Sequence, residues 1–131
     1  MILLDTHVFL WLCLEPKRLP RLAAAAIKQA ANTGGFGIAS ISLWEIAMMV
    51  SLGRLSVRGT PETWLSELIE TSGVIVKDLT STIAVLSTQF PRDFPSDPAD
   101  RLIAATARAE GLMLVTRDGR IRESTLLKTV W

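Results

Sequence analysis

The sequence predicts an α/β protein whose central parallel sheet is covered by helices on both faces. Two observations carry this prediction. Short apolar runs alternate along the chain with helical segments of ten or more residues, the order that joins parallel strands by helical crossovers. The helix ends are marked by Pro, Gly and capping hydroxyls where such residues belong. The 131 residues suit a single domain spanning 1–131, and 49% hydrophobic against 21% charged residues supplies a sizeable core.

The elements follow in order. "ILL" at 2–4 reads as a short buried strand ending at Asp5, and "THVFLWLCL" at 6–14 as a helix ending near Pro16. "PRLAAAAIKQAAN" at 20–32 is a second helix, with Pro20 at its start and Gly34–Gly35 beyond its end. "FGIAS" at 36–40 is a second strand, and "ISLWEIAMMVSLG" a helix closed by Gly53. "TPETWLSELIETSG" is a helix opened by Thr60–Pro61 and closed by Gly73, and "VIVKDL" is a β-branched strand. "TSTIAVLSTQF" at 80–90 reads as a helix before the loop "PRDFPS". "DPADRLIAATARAEG" is a helix, "LMLVT" a strand and "LLKTVW" a last short strand.

Composition narrows the function. The longest apolar run, "VFLWLCL", is too short to span a bilayer, so no membrane role is expected. The start "MILLDTH" lacks the basic region of a signal peptide. A lone cysteine, Cys13, excludes an internal disulfide and fits a reducing cytoplasm, where it is expected to be an inert buried thiol. A lone histidine argues against a His-built zinc site and leaves a Ser-His-Asp triad no choice of base. His7 itself reads as a helix-start or core residue. Carboxylates are left as the groups to do chemistry. A mean hydropathy of +0.34 points to apolar surface that a partner covers.

The carboxylates converge. Between Lys28 and Arg54 the only charged residue is Glu45, on a segment that otherwise reads as core. In a parallel α/β sheet, a helix that follows a strand starts at the sheet's carboxyl edge, where ligand sites form. Asp5 ends the first strand, and Glu45 lies in the first two turns of the helix after the second. Asp100 lies in the first turn of the helix leading into "LMLVT", and Asp118 follows that strand. Each has a structural reading too: Asp5, Asp97 and Asp100 suit helix starts, and Asp118–Gly119 suits a turn. Glu45 has no such reading, because no basic residue stands at i±3 or i±4. Ser42, one turn before it, could orient it or satisfy a helix end, and Thr116 could bond a carboxylate or pack the strand.

Four clustered carboxylates repel one another, and a hard cation resolves the conflict. Mg²⁺ or Mn²⁺ takes oxygen ligands and keeps waters, leaving room for a substrate phosphate. Setting aside Asp5, Glu45, Asp97, Asp100 and Asp118 leaves 8 of the 13 acids against 14 bases. Lys17, Arg18, Arg21, Arg92, Arg101, Arg117, Arg120 and Arg122 are the candidates for a basic rim that suits a nucleic-acid backbone. Trp11, Trp64 and Trp131 are expected in the core or at its rim. Met48 and Met49 are expected in the core or on a partner surface.

"LLDTHVFLW", "SISLWEIAMMVSLGRL", "DPADRLIAATA" and "LVTRD" together resemble the PIN-domain ribonucleases, and most closely the VapC-type toxins of bacterial toxin–antitoxin pairs. The resemblance implies a PIN-like three-layer α/β/α sandwich and a Mg²⁺- or Mn²⁺-dependent endoribonuclease acting on tRNA or ribosomal RNA. It also implies a homodimer and inhibition by an antitoxin protein that covers the site. Carried across residue by residue, the metal-site acids are Asp5, Glu45, Asp100 and Asp118. Thr116 matches a hydroxyl often found near the site, and Asp97 belongs to the "DPADR" form of the motif. Two other readings compete. A receiver-like phosphoacceptor would want paired acids after the first strand, where only Asp5 stands. A non-catalytic module would fill the acids with an Arg-rich partner.

Overall fold

The computed structural model describes residues 1–131 and contains one five-stranded, wholly parallel sheet in the order β3-β2-β1-β4-β5. The strands are β1 (Ile2–Leu4), β2 (Phe36–Ala39), β3 (Ile75–Lys77), β4 (Met113–Val115) and β5 (Thr129–Val130). The helices are α1 (Thr6–Leu14), α2 (Arg21–Thr33), α3 (Ile41–Ser51), α4 (Pro61–Ser72), α5 (Ser81–Ser87), α6 (Pro98–Glu110) and the single turn α7 (Gly119–Arg122). The expected parallel sheet, covered on both faces, is what forms. Its order departs from the 2-1-3-4-5 of receiver-like domains.

Strand periodicity divides the core. Ile2, Leu4, Ile38 and Val115 face one way, onto Phe9 of α1, Ile27 of α2 and Ile46 of α3. Leu3, Ala39 and Leu114 face the other way, onto Ile83 of α5, Ile103 and Ala104 of α6 and Ile121 of α7. Alternate residues of a strand point to opposite faces, so three-residue strands feed both layers. Gly37 has a reason to be glycine: a Cβ there would stand 2.9 Å from the Ile75 carbonyl of the neighbouring strand. No helix is long and apolar enough to cross a membrane.

β1 lies between β2 and β4. The chain runs outward through β2 and β3, then returns to lay β4 on β1's other side. The edge between β1 and β4 is therefore the point where strand order reverses, and a crevice opens there beyond the strands' carboxyl ends.

Some features depart from the sequence reading. The helix foreseen over 80–90 ends at Ser87, because Phe90 turns into the core and Pro91 favours extended backbone before it. Two short elements had no periodic signal: a 3-10 turn at Pro16–Arg18, and α7, capped by Asp118. His7 takes the helix-start place of its two expected ones, exposed in the first turn of α1. Arg101 does not belong to the basic rim. Its Nε donates to the Pro95 carbonyl at 2.8 Å, and its terminal nitrogens reach the carbonyls of Phe90, Pro91 and Phe94 at 3.3–3.4 Å. This fork holds the loop that leads into α6. Arg101→Ala is expected to lower stability by about 2 kcal/mol and to speed amide exchange across 91–96. Unchanged melting and unchanged exchange in that loop would refute the assignment.

Candidate active site

A cavity of about 670 Å³ opens at the carboxyl edge of the sheet. Asp5, Glu45, Asp97, Asp100 and Asp118 all line it, together with Glu123, whose contribution sequence reasoning missed. Five elements deliver them. Asp5 ends β1 and caps α1, while Glu45 points from the second turn of α3. Asp97 caps α6, Asp100 sits in its first turn, and Asp118 caps α7. Ser42 and Thr116 are buried behind the wall.

Hydroxyls fix two of the carboxylates. Thr6 N–H donates to Asp5 Oδ1 at 2.8 Å, and Thr116 Oγ1 donates to Asp5 Oδ2 at 2.7 Å. Thr116 Oγ1 also accepts the Asp118 N–H at 3.1 Å, joining the ends of β1 and β4. Thr6 Oγ1 donates to Glu45 Oε1 at 2.5 Å and stands 2.7 Å from Ser42 Oγ. Thr6 has a single hydroxyl proton, and the ionised carboxylate takes it. The Ser42 hydroxyl therefore donates to Thr6. So Ser42 orients Glu45 only through Thr6, a residue that sequence reasoning left as a mere helix start. Thr6 carries no sequence signal beyond standing next to Asp5. Asp118 Oδ1 is spent on the N–H groups of Arg120 (2.9 Å) and Ile121 (3.1 Å), so its structural reading is realised while its side chain also lines the cavity.

The cavity makes charge costly. Burial pushes the Asp5 carboxyl up, against the pull of its Thr116 and Thr6 hydrogen bonds and of His7. Burial likewise raises Glu45, partly offset by Thr6, and the charges of Asp5 and Asp97 raise it further. Asp100 has no hydrogen-bond donor to compensate it. Burial, then the charges of Asp5, Asp97, Glu45 and Asp118, push it up to about 7. Asp5, Glu45 and Asp100 are thus all raised together, as expected of carboxylates that share one cavity.

The donor set fits a hard divalent cation, since it is all carboxylate oxygen with no thiol and no buried imidazole. No group of three or more His, Cys, Asp or Glu side chains forms a ready-made cage.

The remaining wall is basic and aromatic. His7, Trp11, Arg117 and Arg120 line the cavity. Of the expected basic rim, Arg117 and Arg120 are at the mouth, and Arg18 adjoins them by lying over Trp11. Lys17, Arg21, Arg92 and Arg122 do not line it. Cys13 is half-buried away from the cavity, and burial pushes its thiol up to about 11, in keeping with an inert group.

The fold has counterparts. The PIN-domain family model matches residues 2–125. The chain is 38% identical to Ribonuclease VapC22 of Mycobacterium tuberculosis over 132 residues, covering 99% of this chain and 98% of that protein. Its fold superposes on a chain of the VapBC2 structure from Rickettsia felis bound to a promoter DNA fragment, with a TM-score of 0.72 and 19% identity, covering 99% and 98% of the two chains. It superposes similarly on DNA-bound VapBC from Salmonella typhimurium (TM-score 0.70, 21% identity, 99% and 98% covered). It also matches FitAcB from Neisseria gonorrhoeae (TM-score 0.65, 24% identity, 98% and 96% covered).

The raised carboxyls set the sign of a pH effect. A group whose folded pKa lies above its unfolded value adds stability below the unfolded pKa and loses it as pH rises through the folded one. For Asp100 that window runs from 3.8 to about 7. The metal-free protein is therefore expected to lose stability over this range, by on the order of 2 kcal/mol after allowing for the water that reaches the cavity. Asp100→Asn should flatten that slope and melt higher at neutral pH. Parallel melting-versus-pH curves for the two proteins would contradict the shared site.

Proposed function

This chain belongs to the PIN-domain family, among its VapC-type members, and from that premise we propose that it is a metal-dependent endoribonuclease acting as the toxin of a toxin–antitoxin pair. One observation carries the proposal most: Asp100 shares a single cavity with Asp5, Glu45, Asp97 and Asp118, and the charges of these four add to the rise of its pKa. Such a cluster is tolerated when a cation neutralises it.

Asp5, Glu45, Asp100 and Asp118 are the residues proposed to hold Mg²⁺ or Mn²⁺, and Asp97 lies at the same mouth. When bound, such an ion supplies Lewis-acid charge that lowers the pKa of a coordinated water and neutralises a phosphate oxygen. The protein's part is orientation. Thr116 and the Thr6 N–H hold both oxygens of Asp5, so it presents a fixed pair of lone-pair directions. Thr6 and Ser42 hold Glu45 in one rotamer above it. Arg117 and Arg120 give a polyanion a place to rest against an otherwise repulsive floor. RNA of the tRNA or ribosomal class is the substrate proposed, in the cytoplasm.

The partner reading rests on α3. Trp44 (58% exposed), Met48 and Leu52 (59%) follow one another at i, i+4 and i+8 along its outer face. Beside them α3 and α4 leave an apolar groove lined by Ile46, Val50, Trp64 and Leu65. We assign this surface to a cognate antitoxin or to the second protomer of a homodimer. A non-catalytic module is the alternative, and activity separates the two.

Asp5→Asn, Glu45→Gln, Asp100→Asn and Asp118→Asn are each expected to lower RNA cleavage by about a hundredfold or more while the far-ultraviolet circular dichroism stays native. EDTA should abolish cleavage, and Mg²⁺ or Mn²⁺ should restore it. Wild-type rates in Asp5→Asn, or full activity in EDTA, would sink the proposal.

A further inference from the structure

Trp11 is the only apolar residue lining the acidic cavity. Its indole is 8% exposed, too covered to stack on an RNA base. The groups that cover it are informative. The Arg18 guanidinium carbon lies 4.4 Å from the ring centroid and that of Arg117 lies 5.8 Å away. Trp131 packs on the ring at 5.8 Å, tilted by 47°, and His7 at 6.1 Å. A ring face attracts guanidinium groups through its quadrupole, so one indole gathers two cations that would otherwise repel each other.

Local structure is arranged to bring them there. Pro16 ends α1, and the 3-10 turn at Pro16–Arg18 folds Arg18 back over the helix that carries Trp11. Arg117 stands between Thr116, which is bonded to Asp5, and Asp118, so its backbone is tied to the carboxylate cluster. The two arginines also differ from the other bases near the cavity. Arg101 is spent on loop carbonyls, and Arg120 donates to the Asp93 carbonyl at 3.1 Å. Arg18 has only a solvent-exposed pair with Glu15 at 3.3 Å, which is weak. Arg117 takes part in neither of the chain's two ion pairs.

A floor of carboxylates repels every phosphate except the one an ion neutralises. The flanking phosphates need cations at a fixed distance from that floor, and planar guanidinium groups match phosphate geometry. We propose that Trp11 is a positioning residue that holds Arg18 and Arg117 as a two-cation clamp on the RNA phosphates next to the scissile one. This rests on the ribonuclease reading, deepens it, and is tested by binding rather than turnover.

The probe is a short fluorescently labelled single-stranded oligoribonucleotide, titrated by anisotropy against the full chain over a range of salt concentrations. Arg117→Ala and Arg18→Ala should each weaken binding about tenfold at low salt and lower the slope of log affinity against log salt by about 0.7, one phosphate contact apiece. Trp11→Leu should approach the loss seen in the double arginine variant, and should add little when combined with it. Trp11→Phe, which keeps a ring face, should recover most of the affinity. Arg21→Ala, away from the cavity, should leave the slope unchanged. The clamp is overturned if the arginine variants keep the wild-type slope. It is also overturned if a folded Trp11→Leu does so, or if Trp11→Leu weakens the double arginine variant as much as it weakens the wild type. Should Trp11→Leu fail to fold, the two surface arginine variants decide alone. Failure of the ribonuclease reading would be seen separately, as no cleavage of total tRNA or ribosomal RNA by a wild type that still binds the probe.

Discussion

Asp5 sits where β1, β4 and α1 meet, and its two oxygens are held by donors from two of these directions, Thr6 N–H and Thr116 Oγ1. That grip depends on the sheet. The Asp5 N–H continues the ladder by donating to the Val115 carbonyl at 3.0 Å, which sets β1 and β4 in the register that brings Thr116 within reach. Thr6, fixed by the same start of α1, then reaches across to Glu45 on α3. A buried carboxylate at the central strand's end therefore ties the reversal point of the sheet to the helix that supplies the second acid. Had Asp5 served only as a cap, it would not need the Thr116 hydroxyl as a second donor.

The acids are held to different degrees, and the difference has chemical meaning. Asp5 has two donors, Glu45 one, and Asp118 gives an oxygen to the α7 backbone. Asp100 has none, and its carboxyl is pushed up to about 7. The cluster is thus anchored on one side and charge-frustrated on the other. Of the basic groups lining the cavity, Arg117 lies over Trp11 and Arg120 donates to the Asp93 carbonyl, and neither forms an ion pair with the acids.

Much of this was legible in the sequence because the punctuation is strong. Thr60–Pro61 and Asp97–Pro98 start helices, while Gly73 and Gly111 end them with left-handed backbone, so α4 and α6 fall where expected. Alternation of strands and helices then placed Asp5, Glu45, Asp100 and Asp118 at one edge. What escaped has no periodic signature. The turn at Pro16–Arg18 and the four residues of α7 are too short for one, and Thr6 gains its role only from residues 36 and 39 positions away. Arg101 resembled any surface arginine, because the carbonyls it binds come from a loop whose path the sequence does not specify.

We propose that Asp5, Glu45, Asp100 and Asp118 jointly hold a divalent cation, and that protons held by the cluster in its absence leave when it binds. Calorimetric titration of Mn²⁺ into the metal-free protein, repeated at slightly acidic pH in buffers of different ionisation enthalpy, tests this most directly. The expected result is net proton release on binding, approaching about one per ion, that fades as the pH is raised above 7. Binding with no proton release at any pH, or no binding at all, would contradict it.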